Sequence, residues 1–319
     1  MAESKIPLVS IVGPTATGKT ELAVNLAIKF GGEIVSGDSM QIYKEFNVLS
    51  AKPTREQLEK VPHHLINCLS IKEEFSVARF TKFASSCINE VFKKGQLPFL
   101  VGGTGLYIDS LLKNIKFEDS KKSYDFKLDL TNCSNENLLL VLKKIDPVSA
   151  KKIHVNDTKR LKRAIEFFYS SGYPISEQSA KSKFSDSKYQ TCKIGLNYKN
   201  REFLYEKINK RVDAMFENGI ADEVRRVFKI GPGKTAASAI GYKEVIPYVL
   251  GNCSRQEAVD NLKTATRRYA KRQLTWFRRD SEINWIYVDD FNDFESVIKA
   301  GAEIINKSGL FKTSIEGLI

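Results

Sequence analysis

Gly13-Pro14-Thr15-Ala16-Thr17-Gly18-Lys19-Thr20 reads as GxxxxGK[ST], between the apolar run Leu8-Val9-Ser10-Ile11-Val12 and a helical pattern over residues 18–30. The chemistry of such a loop needs that placement. Glycines let backbone N–H groups converge on a diphosphate, and a helix N-terminus favours its negative charge. Lys19 adds a point charge, and the Thr20 hydroxyl can take a Mg²⁺ position. The run implies diphosphate binding by Gly13 through Thr20 and leaves open which molecule carries the diphosphate.

Working outward, Leu22, Leu26 and Phe30 share one helix face, and Gly31 is a stop signal. Residues 33–36 suit a second strand and 97–101 another, with a helix between them from a cap at Ser76 to Gly95. Strands alternating with helices, and glycines at the strand ends, define an α/β fold: a P-loop NTPase-like parallel sheet flanked by helices. The second strand runs into Ser36-Gly37-Asp38-Ser39-Met40-Gln41, which puts Asp38 at the carboxyl edge beside the loop. A carboxylate there can be a general base, an indirect metal ligand or half of a turn-forming Asp-Ser pair, and position leaves these open. Thr104 in Gly102-Gly103-Thr104-Gly105 can donate to a bridging or leaving oxygen, or serve as a helix cap.

The pattern changes near Lys113. Residues 113–134 read as polar loop, followed by helices over 136–145, 147–154 and 157–171. Between Lys143 and Lys188 eleven Lys/Arg stand against five Asp/Glu. The expected organisation is a catalytic core of residues 1–112 and 190–319, interrupted by a basic, mainly helical insertion domain at 113–189. Strands return at 192–197 and 285–288, and the last helices are expected at 201–218 and from Ser254 to about Arg278, the latter opened by a capping box, Ser254-Arg255-Gln256-Glu257.

The 319 residues carry 50 Lys+Arg against 38 Asp+Glu, a net charge of +12, which calls for a phosphate-bearing partner or a lysine-rich solvated surface. Two clusters bear on that choice. In Lys159-Arg160-Leu161-Lys162-Arg163 the cations lie off a face made by Leu161, Ile165 and Phe168. Further on, Lys263, Arg267 and Lys271 stack on one helix side with Arg268 and Arg272 alongside, and no acidic residue intervenes between Asp260 and Asp280. Cations without i,i+4 carboxylates form a stripe suited to phosphate. Five scattered cysteines without a CxxC pair exclude a zinc ribbon and fit a reducing cytosol. His63, His64 and His154 lack partners at metal spacing and read as structural or phosphate-contacting. No leader pattern and no membrane-length apolar run is present, so the expectation is a soluble cytoplasmic protein with no membrane partner, monomeric by default.

Beyond the loop, an ordered series of blocks resembles the tRNA dimethylallyltransferases (tRNA isopentenyltransferases) of bacterial type. The blocks are GPTATGKT at Gly13, GDSMQIYK at Gly37, AKPT at Ala51, VPHHLI at Val61, FSVARF at Phe75 and LVGGTGLY at Leu100. DPVSAKKIH-ND-KRLKRAIEFF from Asp146, AIGYKE at Ala239 and ATRRYAKRQLTWFR at Ala265 complete it. The resemblance implies that the loop binds the diphosphate of dimethylallyl diphosphate with Lys19 neutralising it. It further implies Asp38 as base toward an adenosine amine, Thr104 on the donor's bridging oxygen and Arg211 on the diphosphate. Its RNA contacts map to Asp38, Ser39, Met40 and Gln41, to Lys159 through Arg163, and to Ser238, Ala239, Ile240, Gly241, Tyr242 and Lys243. Together with Arg267, Arg268, Lys271 and Arg272, these would grip a tRNA anticodon stem-loop and present adenosine 37, the basic insert closing over it, with Mg²⁺ as cofactor. The chain departs from the family's pattern at Leu49, where a glycine is usual, and in a shortened 113–134 stretch. Two other readings share the loop. An adenylate isopentenyltransferase would act on free AMP, ADP or ATP, and a P-loop small-molecule kinase would bind ATP at Gly13 through Thr20.

Overall fold

The computed structural model describes residues 5–115, 130, 132–181 and 186–310. Part of the 113–134 loop expected from the sequence therefore lies outside the described residues. Two compact units emerge: Met1–Leu112 with Lys188–Ile319, and Lys113–Ser187.

In the larger unit, β1 (Ile6–Val12) is buried from Pro7 to Val12, as a central parallel strand covered on both faces must be. It leads through the glycine loop into α1 (Lys19–Phe30), whose buried Leu22 and Leu26 face the sheet, and then into β2 (Gly32–Ser36). α2 (Arg55–Lys60), β3 (His63–His64), α3 (Val77–Lys93), β4 (Leu97–Gly102) and α4 (Gly105–Leu112) follow. β5 (Tyr189–Asn197) and β6 (Asn284–Tyr287) finish a parallel sheet of order β3-β2-β4-β1-β5-β6. Val9 pairs with Phe99 on one side and Cys192 on the other. From β1 the chain first builds one half of the sheet and later the other, so the loops after β1 and β4 diverge at the carboxyl edge and leave a crevice there.

The smaller unit holds α5 (Asn135–Ile145), α6 (Pro147–Ala150), α7 (Thr158–Ser171) and α8 (Ile175–Lys181) around Leu138, Leu142, Leu161 and Ile165. Asp146 fixes its turns by accepting from Ser149 N at 2.9 Å, Ser149 Oγ at 2.7 Å and Ser176 N at 3.0 Å. Leu161 corrects one expectation of RNA contact. It is fully buried in this core, while Lys159, Arg160 and Arg163 face solvent, because helical spacing turns the central residue of the pentapeptide inward.

The remaining helices belong to the larger unit: α9 (Arg201–Glu217), α10 (Ile220–Ile230), α11 (Lys234–Ala237), α12 (Tyr242–Val249), α13 (Arg255–Phe277) and α14 (Phe294–Lys307). The capping box at Ser254 and Glu257 forms. The helix ending near Arg278 is not the last one; α14 follows, capped by Asp293, and packs on α1. The Phe294 ring lies so close to Gly18 that a Cβ there would sit 2.7 Å from Cε2, and Gly18 holds a left-handed φ of 87°. Both facts restrict the start of α1 to glycine.

Glu223 on α10 is 2 % exposed, and its carboxylate receives Asn47 N, Val48 N and Leu49 N, each at 2.9 Å. One side chain thereby orders a loop that has no regular ladder of its own. Glu223→Gln turns an NH₂ group toward at least one of these donors. It is expected to cost about 2 kcal/mol, read as a lower midpoint in urea unfolding with an unchanged slope.

Candidate active site

The glycine loop curls over the carboxyl end of β1. Ala16 is in the left-handed region at φ 65°, a conformation that costs a non-glycine residue about 1 kcal/mol and is held by its surroundings. The Pro14 carbonyl accepts from Thr17 Oγ1 at 2.9 Å and Lys19 Nζ at 2.6 Å, and the Thr15 N–H donates to Gln273 Oε1 at 2.9 Å. The amides free to meet a ligand thus begin after Thr15; Pro14 has none.

Residues 15–20 line a cavity of about 760 Å³ whose other walls include Asp38 through Gln41, Gly102-Gly103, Arg211, Ser238 through Gly241, Lys243, Arg268 and Arg272. This volume is that of a small-molecule site. Burial, followed by the charge of Arg211, pushes the Lys19 ammonium down to about 7, with Asp38 opposing. Arg211 is lowered by burial and likewise favoured by Asp38. The ion pairs of the described residues include neither Lys19 nor Arg211. Two cations therefore converge on one cavity, and Asp38 is the carboxylate whose charge acts on both.

That carboxylate has two distinguishable oxygens. Asp38 Oδ1 accepts from Met40 N at 2.8 Å and Gln41 N at 3.4 Å, a turn-forming arrangement. Oδ2 has no hydrogen bond to the described residues, and Asp38 lines the cavity. The turn and base readings, alternatives in sequence, are compatible in structure. Thr104 Oγ1 accepts from Ser39 N at 3.3 Å and lies 3.5 Å from Ser39 Oγ, which joins the β4 loop to the β2 loop. Tyr269 stands beside it. Burial first, and the Asp38 charge second, push its phenol up to about 12, while hydrogen bonds with Thr104 and Gln273 pull the other way.

Other expected contacts are not on this cavity. Gly13 and Pro14 are buried beneath the loop, and Tyr242 is 8 % exposed and packs inward next to Val245. The cationic stripe on α13 divides. Lys263 forms an ion pair with Asp213 at 2.6 Å, and Arg267 donates to Asn209 Oδ1 at 2.8 Å and lies over the Tyr205 ring, so both are engaged by α9 and are not the unpaired charges expected. Arg268 and Arg272 face the cavity; Lys271 is exposed away from it. His63 donates from Nδ1 to the Val61 carbonyl at 2.7 Å, and burial lowers its pKa, so a neutral ring lines the cavity in place of a phosphate-binding cation. His64 Nε2 lies 2.6 Å from Glu33 Oε2 and is structural.

Sequence reasoning missed Gln273 and Tyr269. Gln273 did leave a signal: it is a polar residue on the stripe Thr266, Ala270, Gln273, Phe277, where burial demands partners. Tyr269 left none, because an aromatic on a helix is ordinary core.

A parallel sheet with a lysine-bearing glycine loop, a cationic cavity and a carboxylate across from it defines an α/β protein of P-loop-like fold. A family profile described as IPP transferase matches residues 41–280. The chain is 46% identical over 299 residues to the tRNA dimethylallyltransferase of Caldanaerobacter subterraneus subsp. tengcongensis, covering 92% of this chain and 95% of that one. The crystal structure of the full-length tRNA isopentenylpyrophosphate transferase from Bacillus halodurans superposes with a TM-score of 0.74 at 39% identity, over 98% of this chain and 100% of that one. A eukaryotic dimethylallyltransferase captured acting on tRNA gives 0.78 at 29% identity, over 95% and 80%. The chain belongs to the IPP transferase family, among the tRNA dimethylallyltransferases.

Because the Lys19 pKa is depressed on folding, its charged form opposes folding. The penalty is full below about pH 7 and vanishes as pH approaches the unfolded value near 10.4. Lys19→Met is therefore expected to melt higher than the ligand-free parent at pH 6, with the gap closing toward pH 10. Binding of inorganic pyrophosphate to the parent at pH 8 should take up a proton, seen as a buffer-dependent calorimetric enthalpy, and Lys19→Met should abolish that uptake.

Proposed function

We propose that this protein transfers the dimethylallyl group of dimethylallyl diphosphate to the N6 amine of adenosine 37 in tRNA, beside the anticodon. The observation that carries the reading is the convergence of Lys19 and Arg211 on a cavity with Asp38 at its side. An anionic leaving group relieves that repulsion and gains most as charge develops on it.

The adenine amine is a poor nucleophile, its lone pair delocalised into the ring. Asp38 Oδ2 accepts the N6 proton as N6 bonds to the allylic carbon and the carbon–oxygen bond to the diphosphate breaks. The products are N6-dimethylallyladenosine, diphosphate and a proton held on Asp38. Amides of residues 16–20, Lys19 and Arg211 hold the departing diphosphate, and the Thr104 hydroxyl serves the bridging oxygen. Thr20 would hold a Mg²⁺ ion. The fit rests on its hydroxyl oxygen, a hard ligand lining the same cavity, where the diphosphate itself would complete the coordination. When bound, that ion supplies further neutralisation of the leaving group.

An adenosine inside a structured loop must be extruded to reach the cavity. Ser39, Met40, Gln41 and residues 238–241 form walls for the extruded base, and Arg268, Arg272 and Lys243 suit the RNA backbone. Lys159, Arg160, Lys162, Arg163 and Lys271 add cations for the anticodon stem. Among the described residues no helix is long and apolar enough to cross a membrane, and all five cysteines are free.

Purified protein with Mg²⁺ and dimethylallyl diphosphate, offered unmodified tRNA or AMP, is expected to prenylate adenosine in the tRNA alone, read by mass after nuclease digestion. Asp38→Ala should lower the rate about 10²–10⁴-fold. Product from AMP would transfer the case to an adenylate isopentenyltransferase.

A further inference from the structure

α13 passes behind both glycine loops, and one of its side chains joins them. Gln273 is 5 % exposed. Its Oε1 accepts from Thr15 N at 2.9 Å, and its Nε2 donates to the Gly103 carbonyl at 3.0 Å. These two backbone groups follow β1 and β4, neighbouring strands of the sheet. The connection is polarised: it needs an acceptor at one end and a donor at the other, which a carboxamide has and an ionised carboxylate lacks. The space is as specific as the polarity, since a Cβ on Gly103 would lie 2.1 Å from Nε2.

The consequence concerns spacing. One loop carries the amides and Lys19 that would hold the diphosphate. The other carries Thr104, which is joined to Ser39 and so to the Asp38 turn. The separation of leaving group and base thus depends on a tie made to backbone groups of the two loops. The geometry points to Gln273 as a positioning residue for prenyl transfer, setting the distance between the diphosphate loop and the Asp38 side of the cavity, to which Thr104 is joined through Ser39. The inference rests on the transfer reaction proposed above.

Two variants of the full chain test it. Gln273→Met fills the same volume and cannot make either bond. Its kcat is expected to fall about 100-fold, the scale of an ångström of misplacement, with little change in the donor KM. Gln273→Glu keeps the acceptor for Thr15 N and loses the donor while ionised; protonation restores an O–H for Gly103. Its kcat relative to the parent should therefore be low at pH 8 and rise as pH falls to 6, burial having raised the carboxyl pKa. Melting curves taken at each pH separate this from loss of fold. Parent-like kcat in Gln273→Met, or a Gln273→Glu deficit equal at every pH in a folded protein, overturns the inference. If the parent forms no prenylated tRNA, the reaction assignment fails on its own. The inference is then decided by pyrophosphate affinity, whose ratio of Gln273→Glu to parent should recover from pH 8 to pH 6 and would stay flat if the tie had no bearing on the loop.

Discussion

Lys19 and Arg211 stand close enough in one cavity for each charge to be felt by the other, and the burial that lowers both pKa values makes the juxtaposition costly. A cost of that kind persists only where surrounding structure enforces it. Enforcement comes from opposite directions. Lys19 is set by the left-handed start of α1, which Phe294 closes from the α14 side, and by its own bond to the Pro14 carbonyl. Arg211 is carried by α9, which buries Leu204, Ile208 and Val212 beside it. Neither helix can relax without exposing apolar surface, so the two cations stay together.

The polar groups around this pair economise on side chains. Asp38 orders its own turn through one oxygen and leaves the other without a hydrogen bond to the described residues. Glu223 satisfies three consecutive amides in a loop that also supplies Leu49 and Ser50 to the cavity wall. In each case an irregular backbone stretch is held by a side chain and not by a sheet ladder, and the cavity walls inherit that rigidity.

The strand–loop–helix unit at Gly13 and the strands ending at Ser36 and Gly102 were legible because apolar runs, glycines and caps are local signals. The ordered motif blocks made the family legible too. β3, two residues long, has no periodicity to read. α14 did carry readable marks, with Asp293 as cap and Val297, Ala302 and Ile305 at helical spacing. Its role against Gly18 is a tertiary fact that no local pattern contains. The stripe on α13 shows the same boundary. Sequence spacing placed Lys263 and Arg267 on one helix side, but their partners Asp213 and Asn209 lie fifty or more positions away in the chain, so the pairing is invisible to an i,i+4 rule.

That pairing changes what α13 means. On α9 the partners Tyr205, Asn209 and Asp213 recur every fourth residue, opposite Arg267 and Lys263, so cations that looked available for RNA serve to dock one helix on another. Docking fixes the rotation of α13. With that rotation set, Arg268, Arg272 and Tyr269 face the cavity and Gln273 reaches the two loops. A single helix therefore relates Arg268 and Arg272 to the two glycine loops that line the same cavity. Substitutions at the α9 seam should be felt at the chemistry even though they lie outside the cavity, because what they disturb is the angle at which α13 presents everything else.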